Sequence, residues 1–443
     1  MAERLGLSYE QAPPFGVPLE FFLVAPGFLM LAALAAGVSP GDWLSSRWMP
    51  ATLALTHLLT LGFLGMVMLG AMLQMLPVVL GTPVAKAKLV GRIGVAALAF
   101  GTPVLALGLW RQDAGFLQVS MVVLVMGLLP MLFSLGLSLA RMRSAAWLVW
   151  PIRQAWLGLL FTLALGISLA GGLAGTWSLL DFPGFTDIHA AWGLGGWIFL
   201  LVLGFAYQVV PMLQLTPNYP DWVTHWLSWL TFTGLPAFSL AVLAQPEEAW
   251  ISWLTLSPVL AGALISTGTT FTLQRRRRRK IGDVTLSFWR LGMAMLAGCT
   301  LILPLTPWLP ETAAVCLGIA FLLGFATSVV NGMLYKIVPF LAWFHLRAQT
   351  QAQAGSIPNM KQLLPEAVAR QHLRLHASAL VLLISAPAVL SLGGVIVVEG
   401  ETISDAAVWI ARAGALFLAI SAALLWRNLF DTVRRFRRHG GRL

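Results

Sequence analysis

Charged side chains are scarce in this sequence: Asp, Glu, Lys and Arg make up 10% of 443 residues, against 58% that are hydrophobic. A soluble domain carries roughly a quarter of its residues as charges, so that class is excluded. Cysteine is nearly absent as well. Cys299 and Cys316 are the only two, in or near apolar runs, and no disulfide framework is indicated. Acids inside the apolar runs are almost missing, which weighs against a carboxylate proton relay driving transport. The sequence has no Walker loop, dinucleotide fingerprint, Ser-His-Asp arrangement or CxxC. Residues 1 to 17 lack an apolar core followed by a small-residue cleavage site, so the first apolar run is expected to stay.

What is present is lipid-compatible helix. Mean hydropathy is +0.82, and runs of the roughly 18 to 25 apolar residues needed to cross a bilayer recur. They number twelve, near 18–38, 50–80, 88–110, 114–140, 153–178, 187–213, 222–244, 249–273, 285–308, 312–344, 375–398 and 405–428. The net charge of +11 is distributed as a topology signal rather than a nucleic-acid surface. Lys86, Lys88, Arg141, Arg143, the run from Arg275 to Lys280, Arg370, Arg374 and Arg434 to Arg438 fall in alternate loops or the tail. The opposite loops carry Asp181, Asp187, Glu247, Glu248, Glu311, Glu399, Glu401 and Asp405. The positive-inside rule then puts both termini in the cytoplasm of a bacterial inner membrane, with the arginine run anchored on anionic lipid. Trp48, Trp110, Trp177, Trp222, Trp250, Trp308 and Trp426 stand near run ends, as an interfacial belt requires.

The chain repeats itself. GFAYQVVP at 204 to 211 returns as GMLYKIVP at 332 to 339, and the pattern G-x7-G-x3-[QK]-x2-P occurs three times. Its members are Gly62, Gly70, Gln74 and Pro77; Gly196, Gly204, Gln208 and Pro211; Gly324, Gly332, Lys336 and Pro339. Tyr207 and Tyr335 share the position four before the proline, where the first copy has Leu73. The prolines are 134 and 128 residues apart, with four runs in each interval, so twelve helices divide into three sets of four, about 18–140, 153–273 and 285–428. On an ideal helix the two glycines, the tyrosine position and the proline share an arc of about 80 degrees, a packing stripe that lets another helix approach closely. The prolines are expected at the cytoplasmic helix ends. Lys336 reads as a snorkelling side chain.

Three pseudo-equivalent sets of four helices, with Gly-rich second, sixth and tenth helices, resemble the catalytic subunit of haem-copper oxidases and nitric oxide reductases. IHAAWGLGGWIFLLVLGFAYQVVP, from Ile188 to Pro211, is similar to that superfamily's H-x-H ligand helix with the second histidine replaced. LTHLLTLGFLGMVMLGAMLQMLP, from Leu55 to Pro77, is similar to it with the first replaced. The same helix resembles that of NnrS-type haem and copper membrane proteins. The resemblance implies an all-α, haem-copper oxidase subunit I-like membrane fold that binds haem b or copper. At the ligand positions of the tenth helix stand Leu317 and Ile319, and the seventh helix lacks a histidine pair, His225 standing alone at its start. A complete binuclear centre for oxygen or nitric oxide reduction is therefore not expected.

The candidate sites follow. His57 is read as a haem ligand or a structural hydrogen-bonding group, and His189 likewise as a haem or metal ligand. Twenty and twenty-two residues before their prolines, the two fall on opposite faces, which points to separate sites. Arg412 is read as a buried partner for a haem propionate or for an outer acid such as Asp405. His372 and His376, at i, i+4 spacing, and His345 at the end of the tenth run form a cytoplasmic group, either a site for Zn, Cu or Ni or histidines at the lipid headgroups. Residues 345 to 374 contain the longest polar segment, where a partner membrane subunit or cytoplasmic protein would dock; membrane lipids are the other partner, and no nucleic acid is expected. Two functions stay open: a non-catalytic haem or copper protein for sensing, delivery or electron transfer, and a cofactor-free transporter or scaffold on the same frame.

Overall fold

A computed structural model describes residues 13–142, 146–245, 248–278, 281–350, 357–392 and 403–443. Arg143, Glu247, Arg279, Lys280, Glu399 and Glu401, which entered the charge argument, lie outside them. Among the described residues there are twelve helices long and apolar enough to cross a membrane. They are α1 (Gly16–Val38), α2 (Pro50–Val78), α3 (Ala87–Arg111), α4 (Ala114–Arg141), α5 (Trp147–Leu173), α6 (Phe182–Gln214), α7 (Asp221–Ala244), α8 (Ala249–Arg275), α9 (Val284–Trp308), α10 (Thr312–Gln349), α11 (Glu366–Leu392) and α12 (Asp405–Arg438). Helix is the form such a chain takes in lipid, because it satisfies its backbone groups internally. Asp113, Asp181 and Asp283 cap α4, α6 and α9 by accepting from the backbone N–H of Phe116, Gly184 and Leu286.

Packing follows one scheme around the chain. Consecutive helices pack on one another all along the chain, α1 on α2, α5 on α6 and α9 on α10 as well as α4 on α5 and α8 on α9, and α12 packs back against α1. The innermost helices are α2, α6 and α10, whose central windows are 78%, 67% and 56% buried against 50% or less elsewhere. Phe199 of α6 and Phe325 of α10 face each other there, with ring centres 6.5 Å apart.

The glycine stripe is a packing surface. A side chain at Gly62 or Gly70 would strike Phe28 or Phe21 of α1, one at Gly204 would press on Pro151 and Ile152 of α5, and one at Gly324 or Gly332 would strike Met295 or Phe288 of α9. The closest approach is glycine on glycine: a Cβ at Gly158 of α5 would lie 2.4 Å from the Gly196 backbone. Tyr207 donates to the Val223 carbonyl of α7 at 3.0 Å, while Tyr335 meets His372 of α11 at 2.9 Å. The shared tyrosine thus ties the second helix to the third in both copies.

One irregularity has no counterpart in the residue pattern. Leu58–Gly65 in α2, Trp192–Phe199 in α6 and Ala320–Thr327 in α10 are π-helical. All three begin nineteen residues before the repeated proline and end twelve before it. Pro77 and Pro211 fall in the last turn of α2 and α6, as expected of helix ends, whereas α10 runs on past Pro339 to Gln349. Lys336 is paired rather than snorkelling: its Nζ lies 2.9 Å from Asp283 Oδ2 at the start of α9.

Candidate functional site

A cavity of about 1240 Å³ opens among α2, α5, α6 and α10 and reaches the connection before α2. That exceeds the roughly 300–1,000 Å³ of ordinary small-molecule pockets. Its wall is mainly apolar, with leucine the commonest residue, and Arg47 is the one Lys or Arg among its described lining residues.

His57 and His189 both line this cavity. Their rings are 6.2 Å apart centre to centre and only 20° from parallel. His57 is the last α-helical residue before the α2 π-segment, and His189 stands three residues before that of α6. The expectation of two separate sites is therefore corrected. Adjacent inner helices arranged around a common axis meet through opposite flanks, so side chains of different helical phase on the two are the ones that face each other.

The tautomers are fixed. His57 Nδ1–H donates to the Leu53 carbonyl at 2.8 Å and His189 Nδ1–H to the Thr162 carbonyl at 3.0 Å. A carbonyl only accepts, so each Nδ1 carries the proton and each Nε2 keeps its lone pair. Neither Nε2 has a protein partner among the described residues. A metal–imidazole bond is about 2.0 Å, and a ring nitrogen lies about 1.1 Å from its ring centre, so two imidazoles on opposite sides of one metal have centres about 6.2 Å apart. The observed spacing matches that separation, and the surrounding volume admits a porphyrin-sized group.

Arg47, missed by sequence reasoning, stands at the mouth. Its Nη1 lies 2.6 Å from Asp187 Oδ1, two residues before His189, and its guanidinium packs over Trp48 at 4.4 Å. The ion pair ties the connection before α2 to the start of α6. A basic residue on the face that otherwise collects acids was the available signal. Arg412, by contrast, is exposed, stacks over Trp409 at 4.9 Å and does not line the cavity. A buried propionate-binding role is not what this placement offers.

The remaining histidines separate. His345 stacks on Phe15 at 5.4 Å, whereas His372 and His376 are fully buried inside α11 beside Tyr335 and Ser328. Among the described residues, no three His, Cys, Asp or Glu come together as a metal group. The headgroup placement of His372 and His376 is corrected: α11 begins at Glu366, nine residues before the apolar run, and its two histidines face protein while Arg370, Gln371 and Arg374 stay exposed. The described part of the 345 to 374 segment is also packed on the chain itself, Arg435 of α12 donating to the Gln362 and Leu363 carbonyls at 3.0 Å each. No protein-family model matches the chain, and no curated protein does.

Proposed function

We propose that this chain is a haem b protein of the bacterial inner membrane, with cytoplasmic termini, built on a frame like that of haem-copper oxidase catalytic subunits and serving electron transfer. The observation that carries the reading is the pair of imidazoles, His57 and His189, 6.2 Å apart on the wall of one large apolar cavity. The equal placement of three π-segments and the recurring helix contacts support three related four-helix sets.

Residues of the chain would do the following. His57 and His189 would hold the haem iron through their Nε2 lone pairs, their rings kept in orientation by the Leu53 and Thr162 carbonyls. Arg47 faces the mouth, where the acidic edge of a porphyrin would be met by a guanidinium. The apolar wall excludes water and favours a low-charge redox state. Haem, when bound, supplies one-electron chemistry. Held by two protein imidazoles, the group would supply electron transfer rather than oxygen or nitric oxide reduction. Haem is favoured over a bare ion here because this pair lines a cavity of about 1240 Å³, far more room than a single ion needs.

The test is an absorption spectrum of the purified chain, oxidised and reduced. A Soret band with the sharp visible bands of a low-spin, bis-imidazole haem is expected, lost in both His57→Ala and His189→Ala. A colourless protein after expression with ample haem would leave the cofactor-free transporter or scaffold.

A further inference from the structure

The interior bounded by α9, α10, α11 and α12 holds a second histidine pair that the large cavity does not use. His372 and His376 stand one turn apart on α11, buried, each with one ring nitrogen engaged. His372 Nδ1 is 2.9 Å from the Tyr335 hydroxyl and His376 Nε2 is 2.9 Å from the Ser328 hydroxyl. The other nitrogens, His372 Nε2 and His376 Nδ1, are buried with no partner among the described residues. Two unpaired ring nitrogens on neighbouring rings in a membrane interior require an explanation, a bound ion being one.

The outer partners define the arrangement. Ser328 and Tyr335 are seven residues, or two turns, apart on α10, so Tyr335 holds His372 from one end of the pair and Ser328 holds His376 from the other. The remaining nitrogen of each ring lies on the side away from its hydroxyl partner. The Ser328 hydroxyl donates to the Leu323 carbonyl at 3.4 Å and so accepts from His376 Nε2–H, which leaves Nδ1 its lone pair. Asn428 reaches the Tyr335 hydroxyl at 3.0 Å. The Asn428 amide N–H donates to that oxygen, whose second lone pair can accept from His372 Nδ1–H. The ring centres are 6.1 Å apart, close to the about 6.2 Å that two imidazoles on opposite sides of one ion would show.

We propose that His372 and His376 form a linear, two-coordinate site for a single soft monovalent cation of the copper(I) class, bonded to His372 Nε2 and His376 Nδ1. The site is independent of the haem reading. Zinc would want four ligands, and here no third His, Cys, Asp or Glu joins among the described residues. The same lack of a carboxylate leaves nothing to offset a second positive charge in a dry interior, which favours a monovalent ion. Phe288 of α9 lies 5.4 Å from His372 and 5.9 Å from His376, ring centre to ring centre, and closes the site against further ligands. Tyr335 and Ser328 act as the outer groups that orient ligating imidazoles.

The experiment titrates copper(I) alone, anaerobically, into the full chain in detergent against a chromophoric copper(I) chelator. One equivalent should resist the chelator in the wild type and in His57→Ala. His372→Gln and His376→Gln should each lose it by about tenfold or more, and Tyr335→Phe should weaken it by about 10- to 100-fold. X-ray absorption on the copper(I) protein should show two nitrogens at about 2.0 Å. The proposal is overturned if the wild type yields its copper(I) to the chelator, if monodisperse His372→Gln and His376→Gln keep it, or if His57→Ala removes it. Should the glutamine variants not fold, the wild-type absorption spectrum decides, three or more ligands being the contrary result.

Discussion

Arg47 Nη1 sits 2.6 Å from Asp187 Oδ1, joining the connection that leads into α2 to the helix that carries His189. Both side chains are partly exposed, 42% and 38%, so the pair should contribute little to stability, about 1 kcal/mol or less. Its effect is on alignment. Arg47→Gln and Asp187→Asn are expected to melt almost as the wild type does while retaining haem several-fold less well on gel filtration. A large fall in melting temperature with unchanged haem content would contradict this.

Asp283 gives a pH dependence. Burial disfavours its charge, but the Leu286 N–H, the Lys336 ammonium and the Arg277 guanidinium together outweigh that and hold its carboxyl below the usual carboxylate range. A lowered folded-state value means the stabilisation is complete above the unfolded value, about 3.9, and is lost as pH falls through the lowered one. Asp283→Asn should therefore be less stable than wild type at neutral pH, with the two melting curves converging in strong acid. Removing the cap altogether in Asp283→Ala should cost about 1 kcal/mol in addition.

Gly158 and Gly318 make a paired test of the glycine contacts. A Cβ at Gly158 meets the Gly196 backbone at 2.4 Å, which cannot yield as a side chain could, whereas nothing lies within 4 Å of one at Gly318. Gly158→Ala should destabilise by about 1–3 kcal/mol, and Gly318→Ala should be neutral or slightly stabilising. Thermal unfolding in detergent separates the two, and equal effects would mean that the α5 and α6 backbones are not in close contact.

The π-segments can be edited. Deleting Leu61 from Leu58–Gly65 removes the extra residue of the wide turn and rotates His57 relative to the rest of α2. Haem should be lost from a protein that still elutes as a single species. The same deletion at Leu323 in Ala320–Thr327 turns cavity-wall residues of α10 but neither histidine, and haem should be held more weakly rather than lost.

Much of this molecule is visible in its letters. Apolar length marks the helices, and the glycines at fixed offsets mark α2, α6 and α10 because close backbone contact demands small residues. The π-segments leave no such mark: Leu58–Gly65 and Trp192–Phe199 share little beyond glycine and apolar bulk, and a wide turn is imposed by the neighbours it packs between. The meeting of His57 with His189 was hidden for a related reason, since helical phase places a residue on its own helix and says nothing of how two helices are turned toward each other. His372 and His376 were misplaced because hydropathy counts Arg370 and Arg374 against a helix without asking whether polar side chains face lipid or protein.

The closure of α12 onto α1 carries a consequence for assembly. Phe15 and Phe436, just before the first helix and near the end of the last, touch edge to face at 5.3 Å. In packing terms the circle is closed: a cut made between α4 and α5, with Phe15 and Phe436 joined through a linker, would leave each helix against the neighbours it has now.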